Sequence, residues 1–274
     1  MTLRLLAARI CRTFVESTGD EFRIVQRIKA GELRDVVTSL DERLHLVTSE
    51  FVREQMPGTK LLSEEGGAVA VGANDLATGD HLVVDPLDGS NNYVLGLPGY
   101  GFMAAHVRSG RVEGSLVVVP EQDVYLLFEG GVFVASQTLR LGVEPPTGTV
   151  YYAYPPGMGE AAKLARARLL DAIDGSTSGV HRSGSACIGL ANLVTGKHRA
   201  FVGHHVRIWD AIAWVPILDA LGYETRYRLT PTSLVLVSSL SSELCTTLAG
   251  PIERELDVEL SLYSPLRQLE VTDA

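Results

Sequence analysis

The 274-residue chain reads as an α/β (α+β) protein in which mixed sheets and helices alternate in layers. Three observations lead there. Short apolar runs bounded by Gly, Pro, Asn or Asp fill residues 80–135, as strands do. Segments with apolar residues at helical spacing open the chain and recur in its second half. From residue 150 strand and helix patterns alternate, yet no glycine-rich strand–turn–helix fingerprint occurs, which argues against a doubly wound nucleotide fold.

The opening MTLRLLAARICRTF places Leu3, Leu6, Ile10 and Phe14 at helical spacing. Arg9 and Arg12 interrupt an apolar run too short for a signal peptide, so an amphipathic helix is expected. In RDVVTSLDERLHLVTSEFVREQM a short extended piece turns into a helix carrying Leu40, Leu44, Val47 and Phe51 on one face, ended by Met56-Pro57-Gly58. Residues 60–62 form a short strand, 63–67 a glycine-bearing turn, and 68–80 a surface loop. The apolar run 82–84 is a strand that stops at Asp85-Pro86. Between 100 and 135 three runs, separated by Ser109-Gly110 and Glu121-Gln122, make an antiparallel meander. Residues 144–148, with two prolines, are the linker candidate near the middle of the chain. Beyond them 150–153, 180–183, 200–202 and 233–237 are extended, while 160–173, 187–195 and 210–221 are helical. The apolar positions after about residue 250 suggest an added strand or interface element.

Thirty-three acids against 24 Lys+Arg give a formal charge of −9, and no basic stripe is present to neutralise a nucleic-acid backbone. A phosphorylated small molecule is not excluded by that charge, because bound cations invert a local field. Cys11, Cys187 and Cys245 lack disulfide or metal-ligand spacing, which fits a reducing cytoplasm. No stretch is long and apolar enough to span a membrane.

The densest signal is LVVDPLDGSNNY, residues 82–93. Two carboxylates, Asp85 and Asp88, sit on a tight turn at a strand end, beside a glycine that lets a ligand approach the backbone. Hard oxygen ligands of this kind suit a divalent cation next to a phosphate, and hence metal-assisted phosphate ester hydrolysis. Asp41, Glu65 and Asp210 also fall at element boundaries. Each alone has an ordinary explanation: Asp41 or Asp210 as a helix cap, Glu64-Glu65 as a solvated loop, DPLDG as a plain turn.

Together they form a pattern. DxVTxxD over 35–41, SEEGG over 63–67, DPLDGSNNY over 85–93 and Trp209-Asp210 occur in the order and spacing of one family, and the chain resembles the inositol monophosphatase family over residues 1 to about 250. The resemblance implies a layered α-β-α-β-α sandwich. It also implies a single catalytic domain, 1–274, with an N-terminal half (1–146) carrying the metal-binding turns and a C-terminal half (147–274) carrying the last ligand. It implies two or three Mg²⁺ ions, or Mn²⁺, about 3.5–4 Å apart where paired. Glu65, Asp85 and the carbonyl of Leu87 would hold the first; Asp85, Asp88 and Asp210 the second, with a third, weaker ion near Glu65. Asp41, Glu65 and Ser90 would be catalytic. Ser90, which stands where most members have Thr, pairs with Asp41 to orient the attacking water. Backbone N–H groups of Gly89, Ser90 and Asn91 would bind phosphate at a helix start. Ser185 and Ala186, together with Asp210, would contact the rest of the substrate. Lithium sensitivity and a homodimer are further implications of the resemblance.

Departures bear on the substrate, a small phosphate monoester. Inositol-phosphate members carry an acid where Gly203 stands here, seven residues before Asp210, and WDAIAWVPIL departs from the family's usual run. Histidinol-phosphate-like, sugar or nucleoside phosphates are therefore expected ahead of inositol phosphate, with a nucleotide 3′-phosphate or bisphosphate as alternative. Arg182, Arg207 and Lys197 would serve a second phosphate, although Arg182 also has a structural explanation. His204 and His205 read as exposed loop residues near the selectivity region, and Trp214 as core. A binding or regulatory protein that kept the fold without turnover is the rival from another class.

Overall fold

The computed structural model describes residues 2–28, 36–66, 76–137, 139–145, 147–154, 160–230 and 233–264. Asp35 and Gly67 of the motifs above, and most of the loop expected over 68–80, lie outside the described residues.

Helix α1 (Thr2–Glu16) buries Leu3, Leu6, Ile10 and Phe14. A small antiparallel pair, β1 (Val25–Ile28) and β2 (Val36–Thr38), leads into α2 (Ser39–Gln55), whose Leu40, Leu44 and Phe51 are buried on the same side. Thr38 caps α2: its hydroxyl accepts from the Asp41 amide at 3.3 Å while the Asp41 carboxylate accepts from the Thr38 amide at 2.8 Å. Both helices lie on one face of a six-stranded sheet ordered β3 (Lys60–Ser63), β4 (Asp80–Asp88), β5 (Gly101–Arg108), β6 (Arg111–Val119), β7 (Val124–Glu129) and β8 (Val132–Ala135). Strands β5, β6 and β7 form the expected antiparallel meander, which β4 and β8 extend at either edge, and β3 runs parallel to β4.

The second sheet uses β9 (Val150–Ala153), β10 (Val180–His181), β11 (Ala200–Val206), β12 (Glu224–Leu229), β13 (Leu234–Ser239) and β14 (Ser261–Leu262), ordered β10-β9-β11-β13-β12-β14. Between the sheets lie α5 (Ala186–Val194), α6 (Ile208–Ala211) and α7 (Val215–Ala220), whereas the short α3 (Ser90–Val94) buries Tyr93 in the core under α1 and α2. The outer face of the second sheet packs on α4 (Glu160–Asp174) and α8 (Ser242–Leu256). The layering is therefore α-β-α-β-α.

Strand alternation builds these layers. On β5, Phe102 and Ala104 join the core under α1 and α2, while Met103, Ala105 and Val107 point into the middle layer. On β11 and β13, Phe201, Leu234 and Leu236 face the middle layer, and Val202, Val235 and Val237 face α4 and α8. Both faces of each central strand are covered, which explains their nearly unbroken apolar runs. Trp214 is fully buried in the middle layer, its indole N–H 3.0 Å from the Met103 sulfur.

Several expectations need correction. Strand β4 does not stop at Asp85; it continues through Pro86 to Asp88, with its pairing to β5 shifted between Asp85 and Asp88. The bulge accommodates Pro86, which has no N–H for the ladder. The single helix expected over 210–221 is α6, a 3₁₀ turn over Ile212–Trp214, and α7 with Pro216 in its first turn. Strand β12 and helix α8 were not expected, and part of the tail does add a strand, β14, beside β12. No described helix is long and apolar enough to cross a membrane.

Candidate active site

The bulged end of β4 delivers two carboxylates, Asp85 and Asp88, to one cleft. Asp85 is 1% exposed, and its Oδ1 accepts the Leu87 amide at 3.1 Å, which closes the turn around Pro86. Gly89 follows at φ +90°, and a Cβ there would meet the Gly99 carbonyl oxygen at 2.4 Å. Only glycine fits, so α3 can start at Ser90 hard against the β4–β5 connection. The Ser90 hydroxyl lies 2.6 Å from Asp41 Oδ1 and 2.8 Å from the Leu87 carbonyl oxygen, and donates to one of them at a time. Asp41 is itself fixed by Thr38, whose amide and hydroxyl both donate to Oδ2.

The opposite side comes from the C-terminal half. Ser185 caps α5, accepting from the Ile188 amide at 3.2 Å. Its hydroxyl donates to Asp88 Oδ2 at 2.7 Å, and the Cys187 amide donates to the same oxygen. Asp88 thus sits at the positive end of α5. Asp210 is in the first turn of α6, its Oδ2 accepting the Arg207 amide at 3.0 Å. Tyr151 ties the loop before α5 together: its phenol oxygen lies 3.0 Å from the Ser183 amide and donates to the Ser185 carbonyl at 2.7 Å.

These groups line an open cleft of about 230 Å³, with Glu64, Asp85, Leu87, Asp88, Gly89 and Ser90 from the N-terminal half and Tyr151, Tyr154, Arg182, Arg207 and Asp210 from the C-terminal half. Asn91 and the Gly184–Ala186 turn complete it. Glu65 does not line the cleft. Its side chain is 2% exposed and pairs with Arg27 at 2.6 Å, whereas the adjacent Glu64, not singled out from the sequence, faces the cleft. The SEEGG motif pointed to a carboxylate here, but two neighbouring glutamates in a turn face different ways, and spacing alone does not say which faces in.

Crowding raises the acids. Burial pushes Asp41 up to about 7; hydrogen bonds from Ser90 and Thr38 oppose this, and the charge of Glu65 adds to it. Asp88 is raised first by burial, against the Cys187 and Ser185 donors, with Glu64 adding repulsion. Asp210 is held well above the usual carboxylate range by burial and then by Asp88 and Glu64.

The selectivity wall differs from expectation. His204 and His205 lie on β11, not in an exposed loop, at a register shift where His205 takes φ +52°. His204 is 1% exposed, and its Nδ1 is 2.9 Å from the Tyr152 hydroxyl. Neither lines the cleft. Lys197 turns away to Gln122 at 3.1 Å. Arg182 and Arg207 do line it, and Tyr154, which no motif marked, carries the guanidinium groups of Arg182 and Arg166 at 4.1 and 4.5 Å from its ring centroid.

The donor set fits a hard divalent cation. Four carboxylates, Glu64, Asp85, Asp88 and Asp210, line the cleft beside a backbone carbonyl, and their mutual repulsion and burial favour either protonation or a cation. Among the described residues, no three of His, Cys, Asp or Glu converge closely enough to form a finished ion site. Asp85, Asp88 and Asp210 each direct an oxygen to a backbone amide.

A family model described as the inositol monophosphatase family matches residues 5–247, and the chain belongs to that family. An inositol-1-monophosphatase of Rhizobium meliloti is 28% identical over 196 residues, covering 70% of this chain and 72% of the relative. A putative Nus factor SuhB of Neisseria meningitidis is 27% identical over 220 residues, 79% and 82%. The crystal structure of extragenic suppressor protein suhB from Bartonella henselae superposes with a TM-score of 0.74 at 18% identity, covering 92% of this chain and 97% of the other. An IMPase/NADP phosphatase complexed with Mg²⁺ and phosphate gives 0.66 at 15% identity, with 96% and 94% covered.

Proposed function

We propose that the chain is a Mg²⁺-dependent phosphatase that hydrolyses a small phosphate monoester to an alcohol and orthophosphate. One observation carries this reading: the Ser90 hydroxyl lies within hydrogen-bond reach of Asp41 on the wall of a cleft that also holds four carboxylates. Glu64, Asp85, Asp88, Asp210 and the Leu87 carbonyl would hold the ions, with Glu64 taking the ligand role first assigned to Glu65. When bound, Mg²⁺ would supply charge neutralisation for the phosphate and acidify a water.

The chain's own groups handle the proton. A water that donates to Ser90 Oγ is oriented by it, and Ser90 passes its own proton to Asp41 Oδ1. Asp41, raised to about 7, can accept that proton near neutral pH. Backbone N–H groups at Gly89–Asn91 would face the phosphate oxygens. Ser185 would act mainly through Asp88, because its hydroxyl is committed there. Phosphate release should be measured with Mg²⁺ over inositol, histidinol, sugar and nucleoside monophosphates and adenosine 3′,5′-bisphosphate. Silence across that panel would sink the reading.

Within it, Arg182 and Arg207 favour a substrate whose alcohol carries a second anion, a nucleotide bisphosphate among them, over an uncharged cyclitol. Three free cysteines support a reducing compartment. Homodimerisation, testable by light scattering, and lithium inhibition belong to the same reading. The relative named as a Nus factor supports the rival, a binding protein on this fold. Asp88→Asn separates the two: a purely binding role survives it and turnover does not.

A further inference from the structure

We infer that Arg27 is a built-in counter-ion for Glu65, one that keeps a further divalent cation off this carboxylate and pins the strand leading to the Ser90–Asp41 pair. The inference rests on the metal-dependent reading above.

Glu64 and Glu65 stand side by side in one turn but have different surroundings. Glu64 faces the cleft. The Glu65 side chain is 2% exposed, and its Oε2 is met by Arg27 Nη2 at 2.6 Å. A buried carboxylate requires a cation or a proton. Arg27 supplies the cation, and its planar fork suits a carboxylate. Its side chain is half exposed, so it reaches Glu65 from the surface. His45, another basic group beside Glu65, does not substitute. Burial pushes its imidazole below the usual range, Arg27 pushes the same way, and Glu65 opposes them.

A divalent ion on Glu65 Oε2 would sit within ion-pair distance of the guanidinium. The two cations repel, so Arg27 and such an ion are alternatives at that oxygen.

The second consequence is positional. Arg27 pairs with Val37 across the β1–β2 ladder, and Gln26 Nε2 donates to Ser39 Oγ at 2.7 Å. The strand anchored to Glu65 by Arg27 therefore holds β2 at Thr38, the residue that fixes Asp41. Arg27 is a positioning residue, acting on Ser90 through β2, Thr38 and Asp41.

The test is Mn²⁺ binding, counted by electron paramagnetic resonance and calorimetry, for the unaltered chain, Glu65→Gln, Arg27→Gln, Arg27→Lys and Arg27→Gln/Glu65→Gln. Arg27→Gln is expected to bind one more ion per chain than the parent. The double variant and Arg27→Lys should return to the parent count, and Glu65→Gln alone should leave it unchanged. Amide exchange at Thr38 should also be faster in Arg27→Gln. An unchanged count in Arg27→Gln, or one ion fewer in Glu65→Gln, overturns the inference while leaving metal dependence intact. No Mn²⁺ on any variant overturns metal dependence, and this inference falls with it.

Discussion

The acidic wall and the recognition wall of the cleft, named for their side chains, are built by different means. Among the acids, backbone donors or short side-chain bonds fix Asp85, Asp88 and Asp210, and Asp41 behind Ser90, so each carboxylate has little freedom to turn. Among the recognition groups, Arg182 and Tyr154 hold one another by stacking, and Arg182 adds a 3.3 Å bond to the Tyr154 carbonyl. The first wall suits chemistry, where small displacements are costly. The second suits recognition, since a stacked guanidinium keeps its edges for a ligand. Replacements on the acidic wall should therefore change kcat, and replacements on the other should change KM and the choice of substrate.

The largest expected effect is at Asp88. Asp88→Asn keeps the volume and removes a charge, and phosphate release should fall by roughly 10³-fold or more with the fold retained by circular dichroism. A fall confined to KM would erase the distinction between the walls. Ser90→Ala comes next: kcat should drop about 10²–10³-fold, the range of a lost proton relay, and Ser90→Thr should recover most of it.

The pH profile sharpens the same side. Asp41 must be deprotonated to accept, so kcat/KM should rise with pH as Asp41 loses its proton, and with Mg²⁺ bound that rise should fall below the metal-free value of about 7, because nearby cations favour the carboxylate. Stability of the metal-free protein should move the opposite way. A carboxyl whose folded value lies above its unfolded one contributes stability that is fully present below the unfolded value of 3.8 and lost as pH rises through about 7. The melting temperature without metal should therefore fall between pH 5 and 8, and Mg²⁺ should flatten that slope. A metal-free melting temperature that rises over this interval would contradict the burial of these acids.

On the recognition wall, Arg207→Gln should raise KM about 10-fold for a substrate with a second anion and leave a singly charged one nearly unaffected. Equal losses on both would mean that Arg207 serves the phosphate itself. Tyr151→Phe is the smallest change expected, a few-fold in kcat, since it removes the hydroxyl that gathers the 183–185 turn under Asp88.

The same contrast governs what was legible in the chain. Asp85, Asp88 and Gly89 stood out because Pro, Asp and Gly advertise a turn, and a turn is a local affair. Of the two adjacent glutamates, Glu65 turns to Arg27, a partner 38 residues away in sequence, and no local pattern marks that pairing. Strand β12 reads ETRYRL, where arginine stems cover the surface while Thr225, Tyr227 and Leu229 are buried; by composition it looks polar. Helix α8 contains Pro251, which argues against a helix, yet the segment is capped by Ser241 and runs on through the proline. Tyr154 carried no motif because its contribution is the flat face of its ring.

The middle layer of helices belongs to both sheets at once. Met103 from one and Leu236 from the other belong to the same buried cluster as Trp214, and no apolar seam divides it. The cleft opens at the edge of that shared cluster, with Asp85 contributed from one side and Asp210 from the other. The acids thus meet only where the two halves join, and the cluster that joins them also sets their spacing. A core change such as Trp214→Ala should therefore reach the chemistry without touching any residue that performs it.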